Sequence, residues 1–488
     1  MTTPDTAPPD PQPAQPTTGA PVARSEQSEQ SEQSGEQLSI VVFLMDDMRY
    51  DDMAAAMPAV MARIVEHGTE FVSNYCATPL CAPSRAMLLR GQYPHNTGVT
   101  GNNDPYGGRA MKRIDDETIG VWLQRAGYHT TFIGKYINGY ALPEAGYRQT
   151  YVPPGWDTWR ASCERTYNYT DTVVNHNGRI ETPEGEYTTG LYGGYALEAL
   201  EERLGSTQPF YLQVNFVAPH SGGPRNPGDD PDWGNLAMPY VPPHWRGTYT
   251  GPTRPGNPAF DEADVSDKPC LGRRRLSAEH KAFIDTATQH RRDSLLAANV
   301  QIRRCIAAIE AAGRLGSTAL IFTSDNGYLS GEHRIHRGKE SHYQPASHVP
   351  LAIRARGFPV GREPGLCGIQ DLAPTMLEMA NALSGPSAVS RGGVVLDGRP
   401  LQRVVDDSDD ERPGVPLEVT VGTANYVLRG CVSADNWKYV ELSNGKECIE
   451  LYDLENDPYE VNNLADAAGM ETRKAEMRSL TAALGVPT

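Results

Sequence analysis

Ile40-Val41-Val42-Phe43-Leu44-Met45-Asp46-Asp47 is the stretch that decides the fold. An unbroken apolar run of strand length, with no polar alternation, suits a strand buried on both faces, as at the centre of a parallel sheet. Two carboxylates follow it directly. The same order, apolar run and then chemistry, recurs along the chain. Thr130-Thr131-Phe132-Ile133 leads into Gly134-Lys135, Pro209 to Val217 leads into Ala218-Pro219-His220, and Thr318 to Thr323 leads into Asp325-Asn326. Between these runs lie helical stretches: Met57 to His67 stopping at Gly68, Thr118 to Ala126 at Gly127, and Ala282 to Ala312 at Gly313. Asp371 to Leu377 reads as a helix start, with Asp371 placed to cap and Pro374 tolerated in the first turn. The alternation predicts an α/β fold, a large mostly parallel sheet covered by helices on both faces. Such sheets bind ligands at the carboxyl ends of their strands, so the four chemical endings are expected on one edge.

Composition narrows the partners. The chain has 488 residues, long enough for one large domain and a smaller one, and 39% of it is hydrophobic. Its 44 basic residues face 61 acidic ones, a net charge of -17. That disfavours nucleic acid and anionic membrane surfaces as partners, since both reward a basic surface. An anionic substrate would need a local cluster of cations. The eight cysteines form no C-x-x-C pair and no dense framework, so apart from Cys81 they are expected as reduced, buried thiols. Met1 to Ala20 has neither a basic start nor an apolar stretch, and Val41 to Met45 is far too short to span a bilayer; the expectation is a soluble, cytoplasmic chain without membrane contact.

Four regions are expected. Residues 1–37 are Pro-rich and end in a Ser-Glu-Gln repeat, and are read as a disordered tail. Residues 38–405 form the catalytic domain. Residues 406–416, acidic and Pro-bearing, read as a linker. Residues 417–488 read as a C-terminal α+β subdomain, with short antiparallel strands near Tyr426–Arg429, Trp437–Val440 and Ile449–Asp453 and a closing helix from about Met470.

Asp46, Asp47, Asp325 and Asn326 are hard oxygen ligands, a set that fits Ca²⁺ or Mg²⁺ rather than a thiolate or imidazole zinc site. Taken singly, each is equally readable as a helix cap or turn residue. Cys81 stands just before Pro83 and Ser84, residues that suit a helix start, so it is expected beside free N–H groups and the positive end of the dipole, where an oxyanion is welcome. A core cysteine ahead of a helix is the other reading.

Cys81-Ala82-Pro83-Ser84-Arg85, taken with Asp46-Asp47, Gly134-Lys135, Ala218-Pro219-His220, Thr323 to Gly327, Gly338-Lys339 and Leu451-Tyr452-Asp453-Leu454-Glu455-Asn456-Asp457-Pro458, resembles the type I sulfatase family of alkaline phosphatase-like fold over nearly all of residues 38–466. Gly134 to Gly139 and Tyr167 to Thr170 lean towards its N-acetylglucosamine-6-sulfatase branch. The resemblance implies a sulfuric ester hydrolase that cuts aryl or carbohydrate sulfates. Cys81 would be oxidised to formylglycine by a transiently bound formylglycine-generating enzyme, and the reaction would pass through a covalent sulfate ester. One Ca²⁺, or Mg²⁺, per chain would be held by Asp46, Asp47, Asp325, Asn326 and the modified Cys81. Arg85, Lys135 and Lys339 would neutralise the sulfuryl oxygens, and His220 is the implied acid for the leaving alcohol. Asn138 and His333 are implied to face the substrate, and a solvated loop histidine is the other reading of His333. Two departures stand out. Ile137 occupies a place where many members have His, with Asn138 next to it, and Arg90-Gly91-Gln92 replaces a common Thr-Gly-Arg. A phosphonate monoester or phosphodiester hydrolase, and a catalytically silent binding protein keeping an unmodified Cys81, are the two alternatives.

Overall fold

Strand Ser39–Met45 is buried along its whole length because its side chains alternate between two cores. Ile40, Val42 and Leu44 enter a core shared with helices Cys81–Arg90, Ile119–Arg125 and Leu372–Met379. Val41, Phe43 and Met45 enter another, shared with helices Thr188–Leu204 and Ala278–Ala311. That is the physical reason for an uninterrupted apolar run: neither face meets water. The structure is a computed structural model that describes residues 37–487, apart from 235, 236, 269, 272, 407–411, 420–426 and 444–446. All of these belong to one compact unit that starts at Gln37.

Among the described residues the main sheet has ten strands. Their order across it is Gly361–Glu363, Thr69–Phe71, Leu351–Arg354, Thr318–Ser324, Ser39–Met45, Phe210–Asn215, His129–Gly134, Thr158–Glu164, Val173–His176 and Arg179–Glu181. The centre is parallel: Ser39–Met45 pairs in parallel with Thr318–Ser324 and with Phe210–Asn215, which pairs in parallel with His129–Gly134. Leu351–Arg354 and Val173–His176 run antiparallel to their inner neighbours. The sheet is therefore mixed, and the expected parallel character holds where it matters. The four strands read from the sequence lie side by side with their carboxyl ends on one edge.

Local chemistry shifts some boundaries. The helix expected over Met57 to His67 is split into helix Pro58–Arg63 and a single tight turn, Val65–His67, and a further helix, Tyr50–Ala56, precedes it. Met57 lies before proline and leaves the helical region at φ -122°, ψ 57°, which separates the two helices. Asp371 does not cap Leu372–Met379 with its side chain. Its carboxylate accepts from the Gly368 N–H at 2.8 Å and makes a two-pronged pair with Arg412 at 2.6 Å.

Among the described residues the C-terminal sheet has four antiparallel strands, Gly414–Val419, Val427–Ser433, Trp437–Ser443 and Glu447–Asp453, backed by helix Glu471–Ala483. The first takes its opening residues from the stretch read as a linker, of which 407–411 lie outside the described residues. Pro416 is accommodated there because the strand is at the edge of its sheet. Val415, Leu417, Leu428 and Val440 pack on Tyr75, Leu329 and Tyr343 of the main body. Residues 1–36 of the expected tail also lie outside the described residues. Gln37, counted with the tail, belongs to the body: its side-chain amide donates to the Ala380 carbonyl at 2.9 Å. The cysteine expectation needs one correction. Cys270 and Cys448, 178 residues apart, form a disulfide, while the other six are free and buried. No spacing rule reveals a pair brought together by tertiary packing. Among the described residues no helix is long and apolar enough to cross a membrane.

Candidate active site

The four strand endings and the start of helix Cys81–Arg90 converge on one point. Asp46 continues strand Ser39–Met45, and Asp47 turns the chain with φ 68°, a left-handed conformation that Asp tolerates better than most residues. The carboxylates of Asp46 and Asp47, the Cys81 thiol and the His220 imidazole each offer a donor atom, all within 4.8 Å of one another. Cys81 is the first residue of its helix and is fully buried, so its thiol sits at the dipole's positive end as expected. It donates to Asp46 Oδ1 at 3.4 Å and receives a bond from Lys339 Nζ at 2.8 Å.

Each neighbour of Cys81 is held from behind. Asp325 Oδ1 accepts from the backbone N–H groups of Asp47 at 3.1 Å and Asn326 at 2.8 Å. Asn326 Nδ2 donates to Asp47 Oδ1 at 2.7 Å, and its own Oδ1 is buried with no hydrogen-bond partner. Lys135 Nζ donates to Asp46 Oδ2 at 2.6 Å, and Lys339 Nζ to Asp47 Oδ1. Lys135 follows Gly134, whose φ is 96° and where a Cβ would stand 2.0 Å from the Asn215 carbonyl oxygen, so only glycine brings the lysine in at this approach.

Charge and burial oppose one another here. Burial alone would raise the Asp46 and Asp47 carboxyls. Lys135, with His220 and Arg85, overrides it at Asp46, and Lys339 with His220 at Asp47, so both are held low. Asp325 goes the other way: burial, then the charge of Asp46, pushes it up to about 6. Burial and Asp46 push the Cys81 thiol up to about 12. A thiol is thus neutral at this position and a poor nucleophile, since reactivity belongs to the thiolate. Burial lowers His220 to about 4 despite Asp47 and Asp46 nearby.

His220 is fixed in a definite orientation. Its Nδ1–H donates to the Ser221 carbonyl at 2.6 Å, its ring stacks on Tyr167 at 4.3 Å, and Nε2 faces Asp47 Oδ2 at 3.7 Å. Proton exchange with the site therefore runs through Nε2.

The expected residues do not all stand where the resemblance implies. Arg85 is buried, with Nε on Asp325 at 2.8 Å and Nη1 on the Lys135 carbonyl at 2.7 Å. It braces the carboxylates and the lysine backbone rather than opening to a substrate. Asn138 donates to the Tyr167 hydroxyl at 2.9 Å and lines a cavity beside Lys135. His333 is neither a substrate-facing nor a solvated residue. It is buried, its Nδ1 lies 2.7 Å from Glu262, its ring stacks on Tyr343, and it lines a cavity that contains none of the converging residues. Arg291 carries a role that sequence reasoning missed. It reaches from the middle of helix Ala278–Ala311 to the carbonyls of Asp47 and Pro219, fixing the backbone of a carboxylate and of the residue before His220. An arginine in a long polar helix gives no signal of this. Asp46, Asp47, Asp325 and the open oxygen of Asn326 fit a hard divalent cation: three buried carboxylates and an unpartnered amide oxygen have no better match.

The chain is also similar to known proteins. The family described as Sulfatase matches residues 39–382. The arylsulfatase of Volvox carteri is 31% identical over 480 residues, covering 88% of this chain and 71% of that protein. The N-acetylglucosamine-6-sulfatase of Capra hircus is 26% identical over 472 residues, covering 89% and 81%. Among solved structures, BT4656 in complex with its substrate D-glucosamine-2-N,6-O-disulfate has the same fold, with a TM-score of 0.68 at 23% identity over 92% of this chain and 97% of that one.

Proposed function

The chain belongs to the sulfatase family and is a sulfuric ester hydrolase, and on that premise we propose that Cys81, oxidised to formylglycine, is the reacting residue of a metal-dependent site that releases sulfate from a saccharide ester. The observation that carries the reading is the convergence of Asp46, Asp47, Lys135, Lys339 and His220 on a buried residue 81 whose own thiol is neutral.

Asp46, Asp47, Asp325 and Asn326 would hold Ca²⁺ or Mg²⁺, one per chain. The cation would polarise the sulfuryl group, and the hydrated aldehyde at residue 81 would supply an oxygen nucleophile. The rest falls to groups of this chain. Lys135 and Lys339, which now satisfy Asp46 and Asp47, would neutralise the sulfuryl oxygens once a cation took over those carboxylates. Arg85 and Arg291 keep the carboxylates in register. His220 serves the leaving oxygen through Nε2. Because Nδ1–H is committed to the Ser221 carbonyl, His220 acts as an acid only once Nε2 is protonated, and an entering sulfate anion favours that step. Tyr167 orients the imidazole from below.

A saccharide substrate is supported by the likeness to N-acetylglucosamine-6-sulfatases, one of them covered over 81% of its length. The catalytic role lies in 38–405, with 417–488 adding part of the cavity wall. Cys81 is 0% exposed, so a formylglycine-generating enzyme would act before the helix docks. Cytoplasmic residence is weighed against by the Cys270–Cys448 disulfide, which suits an oxidising compartment.

The test is mass spectrometry of the Cys81 peptide, with metal content, on protein made beside a modifying enzyme, alongside rates on a sulfate monoester and a phosphonate monoester. Aldehyde at residue 81 and a preference for sulfate are expected. An active preparation with only free thiol would sink the reading, and a faster phosphonate reaction would replace it with the phosphonate alternative.

A further inference from the structure

Above the catalytic residues opens a cavity of about 550 Å³, and Arg273 and Arg337 stand in its wall together with Asp47, His220 and Lys339. Both arginines are exposed. Among the described residues neither has a carboxylate partner. Arg337 only lies over the Phe283 ring at 5.1 Å. The two come from segments far apart in sequence yet stand in the wall of one cavity. In a chain of net charge -17, two unpaired guanidinium groups beside a catalytic cavity stand out. The Arg273 segment is also pinned, because the Cys270–Cys448 disulfide ties it to strand Glu447–Asp453.

A second observation concerns another part of the same wall. Glu450 and His342 line it and are buried. Glu450 Oε2 accepts from Tyr452, His342 and Tyr343, while Glu450 Oε1 and His342 Nδ1 have no hydrogen-bond partner. Buried polar atoms are rarely left alone, and a polyhydroxylated ring would supply the missing donors.

We infer that Arg273 and Arg337 form a second anion subsite at the cavity rim, so that the substrate is a saccharide carrying a further sulfate or carboxylate besides the ester that is cut. This rests on the sulfatase reading and extends it to the class of sugar. Guanidinium groups match both oxyanions in two-pronged geometry.

The experiment uses Arg273→Gln, Arg337→Gln and the double variant in the metal-loaded, modified enzyme. The substrates are 4-nitrophenyl sulfate, glucosamine 6-sulfate, the same sugar with a second sulfate on N2, and a 6-sulfated disaccharide carrying a uronate. Each substitution should lower kcat/KM on the doubly charged sugar by about tenfold through KM, the scale of one charge-assisted hydrogen bond. The double variant should turn over 4-nitrophenyl sulfate within about twofold of wild type, the exposed side chains having little part in the fold. Whichever doubly charged substrate loses most identifies the anion. Equal losses on all four substrates, or none on either doubly charged one, overturn the inference. Calorimetric binding of the disulfated sugar to Cys81→Ala, with and without the arginine pair, separates the two readings. If wild type hydrolyses nothing, the sulfatase reading fails, and the subsite is still decided by whether the arginine pair changes that affinity.

Discussion

Two regions of this molecule bury opposite charges at the same distance, and only one of them is a site. Lys135 meets Asp46 at 2.6 Å in the catalytic centre, and Lys438 meets Glu460 at 2.6 Å between the C-terminal sheet and the main body. The second pair is closed. Lys438 Nζ also donates to the His342 carbonyl at 2.7 Å, and the other Glu460 oxygen accepts from the Gln344 N–H at 2.7 Å. The first is open. Asn326 Oδ1 and Arg85 Nη2 lack hydrogen-bond partners, and Lys339 Nζ divides itself between Asp47 and a neutral thiol. A short buried ion pair therefore does not mark function. What marks it is buried hydrogen-bonding capacity that the protein alone leaves unmet, around charges that are themselves paired.

The contrast breaks most sharply at residue 81. Cys81→Ala should abolish turnover, by on the order of 10⁴-fold or more, as when a nucleophile is removed from other hydrolases. The unfolding midpoint should barely move; residual turnover near wild type would place the reacting group elsewhere. At the closed pair the reverse is expected. Lys438→Met should cost about 3–5 kcal/mol of stability by leaving Glu460 buried and unpaired, with turnover per folded molecule unchanged. Urea unfolding reads it, and Lys438→Met with Glu460→Leu should recover much of the loss. A drop in kcat with stability intact would mean that the C-terminal pair serves the chemistry.

Lys339→Ala should slow every sulfate ester by about 3 kcal/mol, the effect of one preorganised donor to a developing oxyanion. His220→Ala should instead weigh on poor leaving groups such as sugar alcohols, sparing aryl sulfates. Rates against leaving-group pKa distinguish them, and parallel losses would reduce His220 to a positioning residue.

The smallest effect belongs to His348, which stacks on Tyr50 at 4.3 Å near the closed pair. Burial lowers its pKa from 6.5 to about 4. Below pH 6.5 the unfolded chain takes up a proton that the fold refuses, so stability falls as the pH drops from 6.5 towards 4. His348→Gln should remove about 2 kcal/mol of that acid-side loss. Urea midpoints at pH 6.5 and 4.5, compared between the two proteins, measure it; an equal slope would show that His348 is not the titrating group.

Much of this was legible in the chain. Continuous apolar runs ending in Asp46-Asp47, Lys135, His220 and Asp325-Asn326 located the central strands and one reactive edge, because a strand buried on both faces admits no alternation. Arg85 was legible as a cation and illegible as a brace. His333 looked like a loop histidine and is a buried partner of Glu262, 71 residues away. Residue type states what a side chain can do, whereas its partner depends on which segments meet.

By itself the sequence determined the order of strands and helices, the reactive edge, and the set of hard ligands and cations around Cys81. Those depend on local periodicity and on the chemistry of single residues. Only the tertiary structure decided which oxygen atoms stay unmatched, that Cys270 finds Cys448, that Arg291 holds Asp47, and that Arg273 and Arg337 share one cavity wall. Each is a contact between distant segments, and the free energy that selects it comes from packing the whole body rather than from any stretch of the chain.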